Sequence, residues 1–190
     1  MRIDYGTGVY EGDVDENNKP CGKGVYTFSN GDKYDGAFKD GKFFGNGVMT
    51  WNNGNKYNGE WRDGLMHGHG VMAWKNGARY EGEWLEDKKH GHGVFMRPNG
   101  DTYEGDWRDD CACGLGTANY ASGDRYVGEY RGDKKNGHGV YTYANGDVYD
   151  GKWLDNMRHG HGEYTYATGN IVMGEWVEDK FISGNGATDK

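Results

Sequence analysis

Aromatic residues and glycines recur along this chain at a fixed spacing, with polar residues between them. A tyrosine opens each unit except the last, where Val172 replaces it; the first gap is 24 residues and the other six are 23. A glycine follows two residues later and usually a large aromatic two residues after that, as in Tyr80-Glu81-Gly82-Glu83-Trp84. A period of this size is typical of a repeat architecture. The tyrosines are Tyr10, Tyr34, Tyr57, Tyr80, Tyr103, Tyr126 and Tyr149.

Each repeat is predicted to contain two short strands. The first strand is the Tyr-x-Gly-x-Trp segment, and a polar loop such as 85–90 follows it. A Gly-x-Gly pair such as Gly91/Gly93 then leads into the second strand. That strand ends in a turn signal, usually Asn-Gly as at Asn76-Gly77, which is the strongest short hairpin signal in a sequence.

The side-chain alternation of a strand selects the length of that turn. Residues i and i+2 share a face, so Tyr80 and Trp84 point the same way. A two-residue turn would place Trp74 and Tyr80 on different faces. A three-residue turn, 75–77, pairs Trp74 with Ala78 and puts all the large residues on one face. We therefore predict the three-residue turn, with Gly77 in the left-handed region.

These elements predict an all-β fold, an elongated, twisted, single-layer antiparallel meander of stacked hairpins. About 15–16 strands of roughly six residues would extend about 70–75 Å and be about 20 Å wide. Residues 1–9 are predicted to form an entry strand or cap, and 10–190 the repeat array, with seven repeats and a partial capping repeat at the C-terminus. Small-angle scattering should give a radius of gyration well above the roughly 16 Å of a compact chain of this length.

The repeated residues resemble the MORN repeat (membrane occupation and recognition nexus). Tyr-x-Gly-x-Trp, Gly-x-x-x-Gly-x-Gly and Asn-Gly follow one another at 57–77 and again at 80–100, and the pattern extends from Tyr10 to Gly186. Val14, Tyr130 and Val172 depart from it at aromatic positions, and Leu115 with Thr117 depart in the fifth repeat. The resemblance implies a rod of hairpins. Such arrays occur alone in cytoskeletal, ciliary and organelle-tethering proteins, and attached to lipid kinases and a lysine methyltransferase.

Composition and charge limit the classes of partner. The formal net charge is −8 and the pI about 5.3, which speaks against nucleic acid and weakens, without excluding, binding to anionic lipids. No apolar run approaches the length of a membrane span, and the N-terminus has no signal-peptide core. Three cysteines do not make a disulfide framework. We therefore expect a cytoplasmic protein, associated with the cytoskeleton or a cilium by resemblance only.

Candidate chemistry is sparse, and we expect no cofactor, no metal and no catalytic residue. Histidines cluster at the Gly-x-Gly pairs: His67, His69, His90, His92, His138, His159 and His161. A His-Gly-His triplet has ligand-like spacing, but Asn46 and Leu115 fill the equivalent of His69. Cys111 and Cys113 could bind a soft metal with Cys21, yet Cys113 replaces a repeated histidine, so packing or unmodified thiols are favoured.

Acidic residues also follow the repeat: Glu60, Glu83, Asp106, Glu129 and Glu175, with Lys152 in the equivalent position of one repeat. A catalytic pair would be one unique constellation and not one per repeat, so we expect no enzyme activity. The glycines are interpreted as turn residues and as space beneath the rings. Those assigned a structural role are Gly59, Gly70, Gly82, Gly93 and Gly105.

The aromatic face is the candidate binding surface. Rings could simply pack on one another across strands, but a single-layer sheet has no second layer to cover them. The residues predicted to contact a partner are Trp61, Trp74, Trp84, Trp107, Tyr143, Trp153 and Tyr166. Of these, Trp74, Tyr143 and Tyr166 are predicted to be the more exposed, because they lie beside the turn.

The leading hypothesis is a non-enzymatic protein-interaction scaffold. It would hold an extended or helical segment of a partner, or another copy of itself, along the aromatic face. A phospholipid-binding module and a targeting module for an enzyme on another chain are the alternatives. Lipid binding ranks lower because basic residues such as Lys56, Arg79 and Arg125 are interleaved with acidic ones.

Overall fold

The computed structural model describes residues 1–185, in which all regular structure is β-strand. The chain forms two compact units, Met1–Pro98 and Asn99–Lys190. The described residues include no helix that could cross a membrane. The strands of the first unit are β1 (Arg2–Asp4), β2 (Gly8–Val14), β3 (Pro20–Phe28), β4 (Lys33–Lys39), β5 (Lys42–Thr50), β6 (Lys56–Arg62), β7 (Leu65–Ala73), β8 (Arg79–Leu85) and β9 (Lys88–Met96). The strands of the second unit are β10 (Thr102–Arg108), β11 (Cys111–Asn119), β12 (Arg125–Arg131), β13 (Lys134–Thr142), β14 (Val148–Leu154), β15 (Met157–Thr165), β16 (Ile171–Val177) and β17 (Lys180–Asn185).

Within each unit every strand pairs antiparallel with the next one in the chain, which confirms the predicted all-β meander. The described residues form 17 strands, somewhat more than predicted, and Arg2–Asp4 makes a separate strand that pairs Ile3 with Tyr10. The division into 1–9 and 10–190 stays a prediction, although β2 begins at Gly8. Gly186 and the end of the predicted C-terminal cap lie outside the described residues.

The turn that follows the second strand of a repeat has the predicted length of three residues. Met72 pairs with Tyr80, and the Trp74 amide donates to the Ala78 carbonyl at 2.9 Å. Gly77 has φ +91°, the left-handed conformation that the turn requires. Tyr80 and Trp84 are buried on one face, as the register demands.

The polar loop predicted at 85–90 is wrong, because the chain reverses there in two residues. Leu85 pairs with Lys88, so only Glu86 and Asp87 form the turn. Both have positive φ, 51° and 67°, the combination of a type I′ turn, whose twist matches that of the strands. The second strand therefore starts earlier than predicted and runs through the Gly-x-Gly pair. Strand lengths consequently alternate between seven and nine residues through most of the chain, where about six were expected.

A β-bulge in the second strand explains the first glycine of each pair. Gly82 pairs with Gly93, whereas Glu83 pairs with His90, so two residues are extra on the second strand. Gly91 turns this bulge at φ +56°. The Glu83 carboxylate accepts the His92 amide at 3.2 Å, which satisfies a donor that the bulge removes from the ladder.

Hydrogen bonds between consecutive repeats run along the two sides of each sheet where the strands end in turns, called here its edges. At one edge the Asn52 amide donates to Asp32 Oδ1 at 2.7 Å, across 20 residues. At the other edge the Met66 amide donates to Asp87 Oδ1 at 2.8 Å, across 21 residues. Each turn is thus fastened to the turn of a neighbouring repeat, as expected for a solenoid stabilised by nearest-neighbour contacts.

Candidate partner-binding face

Aromatic residues, nearly all of them buried, form a continuous column of rings in each unit, called here the inner column. The Tyr57 ring lies between Trp61 and Trp84, with centroids 5.1 Å and 5.4 Å away and rings nearly perpendicular. Such edge-to-face pairs contribute about 0.5–1.5 kcal/mol each beyond the area they bury. The described members are Tyr10, Tyr34, Phe38, Tyr57, Trp61, Tyr80 and Trp84 in the first unit, and Tyr103, Trp107, Tyr126, Tyr130, Tyr149, Trp153 and Trp176 in the second.

Polar atoms of the inner column bond to backbone carbonyls. The Tyr57 hydroxyl donates to the Glu60 carbonyl at 3.0 Å, and Trp84 Nε1 donates to the Gly70 carbonyl at 3.2 Å. Burial raises the pKa of Tyr10 and of Tyr149 to about 12. These hydroxyls therefore stay protonated and keep donating at neutral pH.

The glycines assigned a structural role lie against these rings. A Cβ on Gly93 would overlap the Tyr80 hydroxyl, and a Cβ on Gly82 would stand 2.5 Å from the Gly93 Cα. Gly59 and Gly70 are related to Tyr57 in the same way, as is Gly105 to Tyr103. Any side chain at these positions would push the tyrosine ring or the facing strand away.

The residues predicted to contact a partner fall into two groups. Trp61, Trp84, Trp107 and Trp153 are only 5–6 % exposed, because their rings belong to the inner column. The structure shows these four rings in contact with other residues of their own chain, and their contact with a partner stays a prediction. Trp74 and Tyr143 are half-buried and Tyr166 is 44 % exposed, so the expectation that this second group is more exposed is confirmed.

The exposed group belongs to a second line of rings, called here the outer row. Each member is the last residue before a three-residue turn, and members within a unit are 23 residues apart. The neighbouring second strand covers part of each ring: Trp74 meets Phe95 at 5.8 Å, and Tyr143 meets Tyr164 at 5.8 Å. The outer row comprises Phe28, Trp51 and Trp74 in the first unit, and Tyr120, Tyr143 and Tyr166 in the second.

Open cavities accompany the outer row of the first unit. One, of about 480 Å³, lies among Tyr26, Phe28, Phe38 and Phe43. A second, of about 550 Å³, lies beside Trp74 and is otherwise lined by amide and lysine side chains. Volumes of this size can accept side chains of a ligand, with apolar rings for contact and polar groups for orientation.

Cations in the second unit lie on the rings of the aromatic face, a feature the sequence analysis missed. The Lys135 ammonium is 4.5 Å from the centroid of Tyr141 and 4.7 Å from that of Trp153. One repeat later, the Arg158 guanidinium is 4.4 Å from the centroid of Trp176. The 23-residue spacing of these two residues could have indicated that they share a position, but only the strand register shows which rings they meet.

Carboxylates at the three-residue turns also hold the face together. Asp147 Oδ1 accepts the Ala167 amide at 2.8 Å, and Asp147 Oδ2 accepts the Tyr164 hydroxyl at 2.6 Å. These bonds, led by that of Tyr164, hold the pKa of Asp147 below its usual value. Asp124 has the same two kinds of partner, the Ala144 amide and the Tyr141 hydroxyl, and its pKa is lowered as well.

Histidines, cysteines and strand carboxylates are spread over the repeats in the structure. Within residues 1–185 no three His, Cys, Asp or Glu side chains approach as a metal-binding group. His138 Nε2 lies 3.0 Å from Asp150 Oδ1, and the three cysteines are half-buried. The recurring strand carboxylates bind backbone: Glu60 accepts the His69 amide at 2.9 Å, as Glu83 accepts that of His92.

Comparison with known proteins identifies the repeat. The MORN repeat family model matches residues 8–33, 34–56, 57–79, 80–102, 103–125, 126–148 and 149–171. No curated protein matches the chain. Among solved structures, the TCP domain of Drosophila melanogaster SAS-4 (dCPAP), in complex with a proline-rich motif of Ana2 (dSTIL), is similar with a TM-score of 0.52 and 12% identity, over 88% of this chain and 90% of that one. The TCP10 domain of Danio rerio CPAP, in complex with a peptide of STIL, has a TM-score of 0.30 and 11% identity, over 92% of this chain and 93% of that one.

The family match spans residues 8–171, far more than half of the chain, and its boundaries follow the 23-residue period of the inner column. The likeness to the SAS-4 domain concerns the fold. This chain belongs to the MORN repeat family.

Proposed function

We propose that the chain is a non-enzymatic protein-interaction scaffold that holds an extended segment of a partner protein along the outer row. One observation carries the proposal. The inner column is completed by the chain's own rings, whereas the outer row on the same face stays half-exposed or exposed, as at Trp74 and Tyr166. Exposed aromatic side chains that the fold does not need for its own packing are characteristic anchors for a partner protein.

The spacing of the outer row favours a particular form of partner. Successive rings within a unit are two strands apart, about 10 Å. A polyproline II segment has three residues per turn and advances about 3.1 Å per residue, so every third side chain would meet the next ring. A straight β-strand would turn its third side chain to the opposite side. A helix could match the spacing with every seventh residue, and it is the competing form.

Two further observations support the polyproline II form. Aromatic-lined surfaces commonly recognise such preformed, proline-rich segments. A proline-rich motif of Ana2 is also what the SAS-4 domain of similar fold binds. We propose a cytoskeletal or ciliary assembly as the setting, supported by the family resemblance, and self-association of the chain as a secondary activity.

Site-directed photo-cross-linking tests the proposal. A photoreactive phenylalanine analogue would replace Trp74 or Tyr143 on the aromatic face, and Glu81 on the opposite face as the matched control. Pools of displayed random segments, presented to the intact chain, should cross-link at Trp74 and Tyr143 and not at Glu81. In the segments that cross-link, the residues that contact the rings should recur at every third position. Cross-links confined to Glu81 would contradict the proposed face, and a period of seven would favour the helical form.

A further inference from the structure

Lys135 occupies an unusual environment in the second unit. Its ammonium lies within 6 Å of four ring centroids: Tyr141 at 4.5 Å, Trp153 at 4.7 Å, Tyr126 at 5.5 Å and Tyr120 at 5.8 Å. Burial among these rings lowers the pKa of Lys135, although the negative charges of Asp179 and Asp124 act to raise it. Rings attract a cation by their electron-rich faces but accept no full hydrogen bond from its N–H groups.

The equivalent cation one repeat later, Arg158, has a counter-ion in this same chain. Arg158 Nε donates to Asp179 Oδ1 at 3.1 Å, and Arg158 Nη2 donates to the Asp179 carbonyl at 2.9 Å. The Asp179 side chain comes from the neighbouring two-residue turn, where Oδ1 also accepts the Arg158 amide at 2.9 Å. Arg158 therefore has its counter-ion in place before any partner binds.

At the corresponding turn Lys135 meets an asparagine. Asn156 Oδ1 accepts the Lys135 amide at 2.9 Å, which reproduces the backbone contact of Asp179 without its charge. Aspartates stand at the equivalent position in the neighbouring repeats, as Asp110 and Asp133. No carboxylate of the described residues forms a salt bridge with the Lys135 ammonium.

The carboxylates that influence Lys135 are engaged elsewhere. Asp124 accepts the Ala144 amide at 2.8 Å and the Tyr141 hydroxyl at 2.9 Å. Asp179 is held by Arg158. A partly desolvated cation without a counter-ion is costly, and a charge-assisted hydrogen bond from an incoming carboxylate would offset that cost.

We propose that Lys135 binds the carboxylate of an aspartate or glutamate in the partner segment, so that the second unit selects an acidic segment. This inference rests on the proposed function. The acidic residue is placed inside the segment and not at its C-terminus, because the outer row continues on both sides of Lys135, at Tyr120 and at Tyr143 and Tyr166. A segment that runs along this row would carry the acidic side chain between its ring contacts.

The test uses a displayed library of random ten-residue segments selected on the intact chain. Segments selected on the wild type should be enriched in Asp or Glu at one position. Segments selected on Asn156→Asp should lack that enrichment, because the introduced carboxylate would supply the missing counter-ion. A selected peptide should bind at least about tenfold more weakly when its acidic residue becomes Gln. Lys135→Met should weaken that peptide similarly and remove the difference between its Glu and Gln forms.

A matched control separates this contact from net charge. Lys134→Met removes the same charge from the opposite face, where Lys134 pairs with Asp155 at 3.4 Å, and it should change affinity less than about twofold. Melting temperatures would confirm that each variant is folded. Peptides that need Tyr143 but ignore Lys135 would overturn this inference and leave the proposed function standing. The absence of any segment on the aromatic face would overturn both.

Discussion

Each unit builds the same kind of sheet, but the aromatic faces of the two units carry different chemistry. In the first unit the outer row is Phe28, Trp51 and Trp74, and methionines such as Met49 and Met72 lie beside the inner column. In the second unit the outer row is tyrosine throughout, as are the neighbours Tyr141 and Tyr164. Lys135 and Arg158 lie on its rings at 4.4–4.7 Å, closer than the 5.0 Å that separates Lys89 from Phe95 at the equivalent position of the first unit. The tyrosine, glycine and tryptophan positions hardly differ. The repeat therefore separates residues that determine the backbone from residues that determine what the surface can bind.

The difference extends to the three-residue turns. In the second unit, Asp124 and Asp147 each bond to the backbone of the next turn and to a tyrosine hydroxyl. The equivalent residues of two first-unit repeats are Asn55, which makes the backbone bond alone at 3.0 Å, and Ala78. The polar character of the second unit thus includes its hydrogen-bond network as well as its rings.

The largest expected effect is the loss of stability when an inner-column tryptophan is removed, and it should be equal in both units. Trp84→Ala and Trp153→Ala each remove a buried ring of the inner column and the hydrogen bond that its indole donates. Each substitution should lower the free energy of unfolding by about 3–5 kcal/mol, measured by urea denaturation. A loss of less than about 1 kcal/mol in one unit would show that the inner column does not support both units alike.

Substitutions in the outer row should affect binding more than folding. Trp74→Ala in the first unit and Tyr143→Ala in the second truncate partly exposed rings, so each should cost less stability than the inner-column variants. The loss of affinity for a selected segment should reach about 2 kcal/mol at the unit that holds it, measured by calorimetry. If both folded variants bind as the wild type does, the outer row is not the binding surface, and the two-residue turns and bulges beside the Gly-x-Gly pairs become the next candidate.

Acid should weaken the second unit before the first. The pKa values of Asp124 and Asp147 are lowered in the folded chain, so their stabilisation is complete above the unfolded pKa, about 3.9, and is lost as pH falls through the folded pKa. The protection factors of the Ala144 and Ala167 amides against hydrogen exchange should therefore fall at low pH more than that of Lys75, which bonds to uncharged Asn55. The double variant Asp124→Asn, Asp147→Asn should remove this difference between the units.

The smallest expected effect is on lipid binding. Basic and acidic residues are interleaved and the net charge is −8, so vesicles that contain acidic phospholipids should bind weakly, and not at all near physiological salt. Sedimentation with vesicles at two salt concentrations measures this, with neutral vesicles as control. Salt-resistant binding that depends on Lys135 or Arg158 would mean that the cations of the second unit recognise a phosphate headgroup and not a protein carboxylate.

Local signals determined how much of the fold could be predicted from the sequence. The three-residue turn followed from alternation alone, because only that length puts Trp74 and Tyr80 on the same face. The two-residue turn was missed because Glu86-Asp87 lacks a glycine, although Asp40-Gly41 and Asp63-Gly64 at the equivalent positions carry the usual type I′ signal. Because equivalent positions of a repeat adopt the same conformation, those Asp-Gly pairs also indicate a two-residue turn at Glu86-Asp87.

The candidate site was harder to predict because it depends on contacts between repeats. Burial of the four tryptophans and exposure of the outer row both follow from how neighbouring hairpins stack, which the pattern within one repeat does not specify. The environment of Lys135 requires three separate facts: its register against Tyr141, its distance from Trp153, and the asparagine 21 residues later. None of these is visible as a motif.

The hydrogen bonds along the two edges restrict how the length of this protein can change. They join residues 20 apart at one edge and 21 apart at the other, as in Asp32 to Asn52 and Met66 to Asp87. An insertion or deletion of one residue inside a strand shifts the partners and moves the rings beyond it to the wrong face. The 24-residue first repeat instead places its extra residue in the turn between β2 and β3, where both strands keep their register. Removal or duplication of a complete 23-residue unit keeps every partner in place. Within the strands the length can therefore change only in steps of one repeat. Each step adds or removes one outer-row position, which carries a ring in the repeats named above and Arg97 in another.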